Sequence, residues 1–214
     1  MRGDILIIGE HHRQAAEGIL DMTLPGILSK KGIFFFTVGG ESGAGKSEIS
    51  YALENLLANK GITACIFQQD DYFVYPPKTN ERMREVDIGQ VGPGEVRLDL
   101  LNENIREASE GKAEIIKPLI IFAEDRISSE KINLEPFKVI IIDGTYTTLL
   151  ECIDCRVFID RDWNDTREDR LKRNREKQNE YLEKILEIEH LIISRHKALA
   201  NIIVDKKFRV INAG

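Results

Sequence analysis

Residues Gly40 to Ser47 read GESGAGKS, the segment of this chain whose residue types and spacing say most about chemistry. Glycines let a backbone turn its N–H groups inward around anionic oxygens, as the first turn of a helix does. Gly40, Glu41, Ser42, Gly43, Ala44 and Gly45 would form that cradle. Lys46 would reach the terminal phosphates, and Ser47 would offer its hydroxyl to a magnesium ion. The flanks agree with this reading: the apolar run IFFFTV precedes the loop and the helix-forming stretch SEISYALENLLANK follows it. The implied ligand is a nucleoside triphosphate with magnesium, and ATP with Mg2+ is the expected pair.

Three carboxylates fall at the ends of apolar runs. Asp70 and Asp71 follow Ile62 to Phe67, and Asp143 follows Val139 to Ile142. Phosphoryl transfer to an alcohol needs a carboxylate beside the acceptor hydroxyl, to orient it and take its proton. Asp70 is the expected base, with Asp71 sharing substrate or metal contacts; a solvated turn is the plainer alternative. Asp143 is the expected magnesium-side acid, against a simple helix N-cap. Glu41 is a weaker candidate for the same metal's water shell.

Cations and aromatics complete the candidate set. In WNDTREDRLKRNREKQ, Arg167, Arg170 and Arg173 or Asn174 recur at helical spacing and share a face. Arg170 and Arg173 are the expected catalytic pair, because a guanidinium fork suits a transferring phosphoryl group. The interspersed acids equally describe a solvated, salt-bridged helix. Tyr72, Phe73 and Tyr75 either wall the acceptor or staple their own loop. Arg82 and Arg84 would suit an anionic or polyhydroxylated acceptor.

The elements that must hold these residues read as alternating strands and helices. Strands are expected at Ile33–Val38, Ile62–Phe67, Val139–Ile142 and Val157–Ile159, with Ile202–Val204 and Phe208–Ile211 giving a fifth strand or a hairpin. Ile49, Leu53, Leu56 and Leu57 mark the buried side of the helix after the loop. Such alternation predicts a three-layer α/β fold with a mostly parallel five-stranded sheet, whose ligands collect at the strands' carboxyl ends. Residues 1–31 form an N-terminal extension packed on a 32–214 domain. Pro25 and Gly26 are expected to break its helix, and His11 and His12 to lie on the surface. Residues 72–93 read as a long loop covering the substrate, and 162–178 as a small arginine-bearing lid.

Composition sets limits. A length of 214 residues allows one sizeable core but not two full domains. A net charge of -6 argues against a nucleic-acid partner. Cys65, Cys152 and Cys155 make no disulfide framework. No stretch approaches the roughly 20 apolar residues of a membrane span, so the expected location is the cytoplasm. His190 and His196 belong to the helical segment Asn179–Ala200, as core or surface residues. The apolar face of Tyr181–Leu199 has two outlets, burial within the monomer or pairing across a homodimer.

From Gly32 to Val204 the chain resembles the uridine kinase, phosphoribulokinase and bacterial pantothenate kinase superfamily of P-loop kinases. GESGAGKS resembles its phosphate loop, and QQDDYF its strand-end motif, where an aspartate is the catalytic base and the match falls on Asp70. PGEVRLDLLNENIREASEGKAEIIKPL is similar to its substrate-side helix and following strand. IIIDGTY places Asp143 where the family commonly has glutamate, and VFIDRDWNDTREDRLKRNREK resembles its strand and lid. REVDIGQVGPGEVRLD and PLIIFAED depart from the uridine kinase substrate segment. That departure points away from uridine or cytidine and leaves another nucleoside, a sugar, a sugar phosphate or a vitamin-like alcohol. The resemblance implies an ATP-dependent kinase of a small-molecule alcohol. A nucleotide-dependent binding or regulatory protein on the same fold is the alternative.

Overall fold

The computed structural model describes residues 6–173 and 179–214, with the side chains at 172 and 173 outside that description. Its first element, α1 (Glu10–Ser29), runs unbroken through Pro25 and Gly26, where the sequence predicts a break. Ala15, Ala16, Ile19, Leu20, Thr23 and Ile27 recur every three or four residues and are all buried. Asp21, whose carbonyl loses its helical partner at Pro25, is exposed and open to water. Burial of one continuous face thus outweighs a proline penalty of about 3 kcal/mol.

β1 (Phe34–Gly40) is buried at every position. It leads through the glycine loop into α2 (Lys46–Asn59), whose Ile49, Leu53 and Leu57 face the core. β2 (Ala64–Gln68) starts later than the apolar run suggests, because the Ile62 amide closes α2 by donating to the Leu57 carbonyl at 3.0 Å. The expected loop over residues 72–93 contains a helix, α3 (Pro77–Val86). Pro77 occupies its first turn, where a fixed φ favours helix and the missing N–H costs nothing. α4 (Leu98–Ser109) follows, then an antiparallel hairpin of β3 (Glu114–Ile121) and β4 (Arg126–Asn133). The remaining elements are β5 (Val139–Asp143), β6 (Cys155–Ile159), α5 (Arg167–Arg173), α6 (Glu180–Ile193), β7 (Ile202–Val204) and β8 (Val210–Asn212).

The main sheet has the order β2-β5-β1-β6-β7-β8. Its first five strands are parallel, as expected, and β8 adds an antiparallel sixth. Alternation along β1 sends Phe34, Phe36 and Val38 toward α1 and α2, and Phe35 toward α4 and the hairpin. The sheet is therefore the middle of three layers. Register matters most for the site: Asp143 pairs with both Val38 and Gln68, so the ends of β1, β5 and β2 share one rim.

α6 begins at Asn179, whose side-chain oxygen accepts from the Leu182 amide at 2.8 Å. Its apolar residues Leu182, Ile185, Leu186 and Ile193 are buried within the chain. Leu191 and Leu199 of the same segment are exposed.

Candidate active site

The phosphate loop is held from outside on two sides. Gly45, at φ 103, has His12 so close that a Cβ there would lie 3.0 Å from Nε2. His12 is buried, its Nδ1 accepts from the Gly9 amide at 3.1 Å, and its ring meets Phe208 edge-on. The surface assignment therefore fails for His12 and holds for His11, because the amphipathic face of α1 turns only the former inward. On the other side Gly43, at φ 76, faces Arg170, whose Cγ would stand 2.8 Å from an added Cβ. Both glycines need a positive φ and leave no room for a side chain.

Three strand ends converge on the loop. Lys46, Ser47, Gln68, Asp70, Asp143 and Gly144 line one cleft of about 320 Å³. Lys46 Nζ donates to the Glu41 carbonyl at 2.8 Å, across the loop's mouth. Asp143 Oδ2 is buried without a hydrogen-bond partner among the described residues, and the nearby Ser47 side chain favours the charged carboxylate. Burial, with Asp70 adding like charge, pushes Asp143 up to about 6. Burial also raises Asp70, with Lys46 pulling the other way. Two carboxylates and an ammonium thus face each other at the cleft floor.

Residues 162–170, the first part of the expected lid, rest on the loop. Thr166 Oγ1 donates to the Ser42 carbonyl at 3.0 Å. Arg170 is buried and donates to the Trp163 carbonyl at 2.6 Å and to Thr166 Oγ1. Arg173 ends α5 and its side chain lies outside the described residues, as does the rest of the lid through Gln178. Glu41 does not turn toward the metal side. Its buried carboxylate meets His190 Nδ1 of α6 at 2.6 Å. Burial raises the Glu41 carboxyl against the pull of His190.

The half of the cleft beyond the phosphate loop departs most from sequence expectation. Asp71 is buried away from the cleft, accepting from Lys117 Nζ at 2.8 Å and from the Ile120 amide at 3.0 Å. Lys117 also meets Glu130 at 2.7 Å, so this triad fastens the β3–β4 hairpin to the turn at residues 69–72. Tyr72 is fully buried, its hydroxyl donating to Asn104 at 2.9 Å, and belongs to the core. Neither residue is among those lining the cleft, and substrate contact is corrected to structural support for both. Tyr75 and Arg82 are also outside the lining; Arg82 is exposed and pairs with Asp125 at 3.8 Å. Arg84 does line it, together with Phe73, Asn80 and Glu81, and Phe122 at the hairpin turn. α6 closes this half with Tyr181, Leu182 and Glu189.

α6 and the hairpin turn are what sequence reasoning missed. Two signals were available: Lys117 interrupts the apolar run EIIKPLII, and Glu189-His190 interrupts EIEHLII. Charged residues inside apolar runs need partners: Lys117 meets Asp71 and Glu130, while Glu189 and His190 meet Arg84 and Glu41.

A glycine loop at a strand-to-helix turn, strand-end acids beside it and a walled pocket beyond define a P-loop kinase acting on a small-molecule alcohol. The phosphoribulokinase / uridine kinase family model matches residues 35–208, and the chain belongs to that family. Over 184 residues it is 28% identical to the bifunctional alpha-galactosidase/sucrose kinase AgaSK of Mediterraneibacter gnavus, covering 79% of this chain and 20% of that protein. It is also 28% identical over 182 residues to the uridine kinase of Leuconostoc citreum, covering 79% of this chain and 85% of that one. The D-glycerate 3-kinase of Cryptococcus neoformans has the same fold, with TM-score 0.63 and 15% identity over 95% of this chain and 98% of that chain.

Proposed function

We propose that the chain transfers the γ-phosphoryl group of Mg-ATP to a hydroxyl of a small acceptor held between α3, α6 and the hairpin turn. The observation that carries this reading is the meeting of Lys46, Ser47, Asp143 and Asp70 at the floor of a cleft that continues beyond them. In that arrangement Asp70 takes the acceptor's proton as its oxygen bonds to phosphorus and the bond to the ADP oxygen breaks. Lys46 faces the charge that develops on the transferring group, and Arg170, packed on Gly43 of the loop, would have to turn from Trp163 and Thr166 to join it. Closure of the lid keeps water out.

Magnesium keeps water and substrate phosphate as most of its ligands and takes one or two protein oxygens. The unpartnered Oδ2 of Asp143 and the Ser47 hydroxyl fit that demand. Among the described residues no group of three or more His, Cys, Asp or Glu offers another site. When bound, the ion would offset phosphate charge. The three cysteines are free, which accords with a reducing compartment, and we assign the chain to the cytoplasm.

The test is acceptor-dependent ADP release from Mg-ATP across nucleosides, sugars, sugar phosphates and pantothenate-like alcohols. Lys46→Ala should lower turnover at least about 100-fold, the scale of removing a group that stabilises transition-state charge. Asp70→Asn should lower it by about 100-fold or more while ATP affinity stays within twofold. Tight ATP binding with no acceptor-dependent ADP release would instead mark a nucleotide-dependent binding protein.

A further inference from the structure

α3 begins without a cap of its own. Its N-cap position is Pro76, whose side chain accepts no hydrogen bond, so the first amides of the helix need an acceptor from elsewhere. They find it at Asp125, 47 residues beyond Lys78, in the turn of the β3–β4 hairpin. Asp125 Oδ1 accepts from the Lys78 amide at 2.7 Å, and Oδ2 accepts from the Thr79 hydroxyl at 2.9 Å. Arg82, one turn further along α3, reaches Oδ2 at 3.8 Å from an exposed side chain. Bonding to the second amide of a helix is what an N-cap aspartate does, and a carboxylate there also meets the positive end of the helix dipole. Here the cap is lent by another element.

Asp125 is shaped for that task. It sits at φ 47 and ψ 50, a left-handed conformation that Asp and Asn enter more readily than other side chains. Its amide closes the turn on the Phe122 carbonyl at 3.3 Å. Desolvation works to raise the Asp125 carboxyl, but the Thr79 hydroxyl and the Lys78 and Thr79 amides outweigh it and hold the group below the usual carboxylate range. The two elements joined in this way are both walls of the cleft beyond the phosphate loop. Pro77, Lys78, Asn80 and Glu81 line it from α3, and Phe122 lines it from the hairpin turn. Asp125 and Thr79 are not among the lining residues. The hairpin's base is fixed to the body of the fold by Lys117 and Asp71, so the Asp125 bonds set how far its tip stands from α3.

Resting on the phosphotransferase reading, we propose that Asp125 is a positioning residue for the acceptor: by capping α3 from the hairpin turn, it holds two walls of the acceptor pocket at their working distance. Walls fixed before binding spare the acceptor the cost of drawing them together. Where they part, only the closed fraction binds, and apparent affinity falls by that fraction. No residue of the phosphate loop takes part in these bonds, so the effect belongs to the acceptor and not to the nucleotide.

Asp125→Gly tests this, because glycine keeps the positive φ without strain and removes the carboxylate. Asp125→Asn keeps an oxygen for the Lys78 amide and tolerates the same φ. In ligand-free protein, hydrogen exchange at the Lys78 and Thr79 amides should be about tenfold faster in Asp125→Gly and near the wild-type rate in Asp125→Asn. Rates with Mg-ATP are then read on the acceptor that the wild type phosphorylates fastest, starting with fructose, uridine and D-glycerate. Asp125→Gly should raise the KM for that acceptor about fivefold, the scale of a lost N-cap, with kcat and the KM for Mg-ATP within about twofold. Asp125→Asn should recover most of that loss. Thr79→Val should also raise the acceptor KM, and should add little when combined with Asp125→Gly, as partners in one interaction do. Equal exchange at these amides in all three proteins, an unchanged acceptor KM, or equal changes in kcat and both KM values overturns the proposal and leaves the kinase intact. Absence of acceptor-dependent ADP release by the wild type across nucleosides, sugars, sugar phosphates and pantothenate-like alcohols overturns the phosphotransferase reading, and this proposal with it.

Discussion

Asp143 is a liability to the empty fold and, on the proposed reading, an asset to the loaded one. Its Oδ2 is buried without a partner among the described residues, and its carboxyl titrates at about 6 rather than near the unfolded value of 3.8. A carboxyl raised on folding contributes stability at low pH, which is lost as pH rises through the folded value. Ligand-free protein should therefore lose up to about 3 kcal/mol from this group between pH 4 and 7. Asp143→Asn should melt higher than wild type at pH 7, lie level with it at pH 4, and lack magnesium-dependent transfer. Scanning calorimetry at the two pH values reads the first part. A lower melting temperature for the variant at pH 7 would contradict it.

At the scale of elements, α6 does two jobs with consecutive residues. Glu189 faces the acceptor wall through Arg84, and His190 holds Glu41 of the phosphate loop. On the proposed reading, the Glu41–His190 contact is a positioning contact for the nucleotide side. A hydrogen bond to a charged group contributes about 1.5–3 kcal/mol, so His190→Phe should raise the KM for Mg-ATP by about tenfold or more. His190→Gln, which keeps a donor, should restore most of that loss. Equal falls in kcat, ATP affinity and melting temperature for both variants would show general damage instead. The β3–β4 hairpin depends on a buried triad in the same way. Lys117→Met leaves Asp71 buried beside Glu130 without its cation, and denaturant unfolding should show a loss of about 3–5 kcal/mol. Adding Asp71→Asn to that variant should recover part of the loss.

At the scale of the whole molecule, the cleft joins elements far apart in sequence: the phosphate loop near residue 45, α3 near 80, the hairpin turn at 122 and α6 near 185. Ligand that binds only this assembled state must stabilise it by mass action. Mg-ATP at 100 times its dissociation constant should add about 2.7 kcal/mol to the unfolding free energy. The shift should vanish in Lys46→Ala, and thermal melts with and without nucleotide would reveal it. Among the described residues no helix is long and apolar enough to cross a membrane.

What the sequence determined by itself was local. The glycine loop, the strand-end position of Asp70 and Asp143, and five parallel strands are encoded in runs of adjacent residues, where backbone freedom and apolar periodicity act over short range. Four features were not legible: the unbroken α1, the helix inside residues 77–86, the burial of Asp71 and Tyr72, and the pairing of Arg84. Each depends on what lies opposite in space. Pro25 could be read only as a breaker until α2 was seen against α1. Arg84 could be read only as a free cation until Glu95 and Glu189 were seen around it. Burial and charge pairing are properties of neighbourhoods rather than of residues, and only the tertiary structure assigns neighbours.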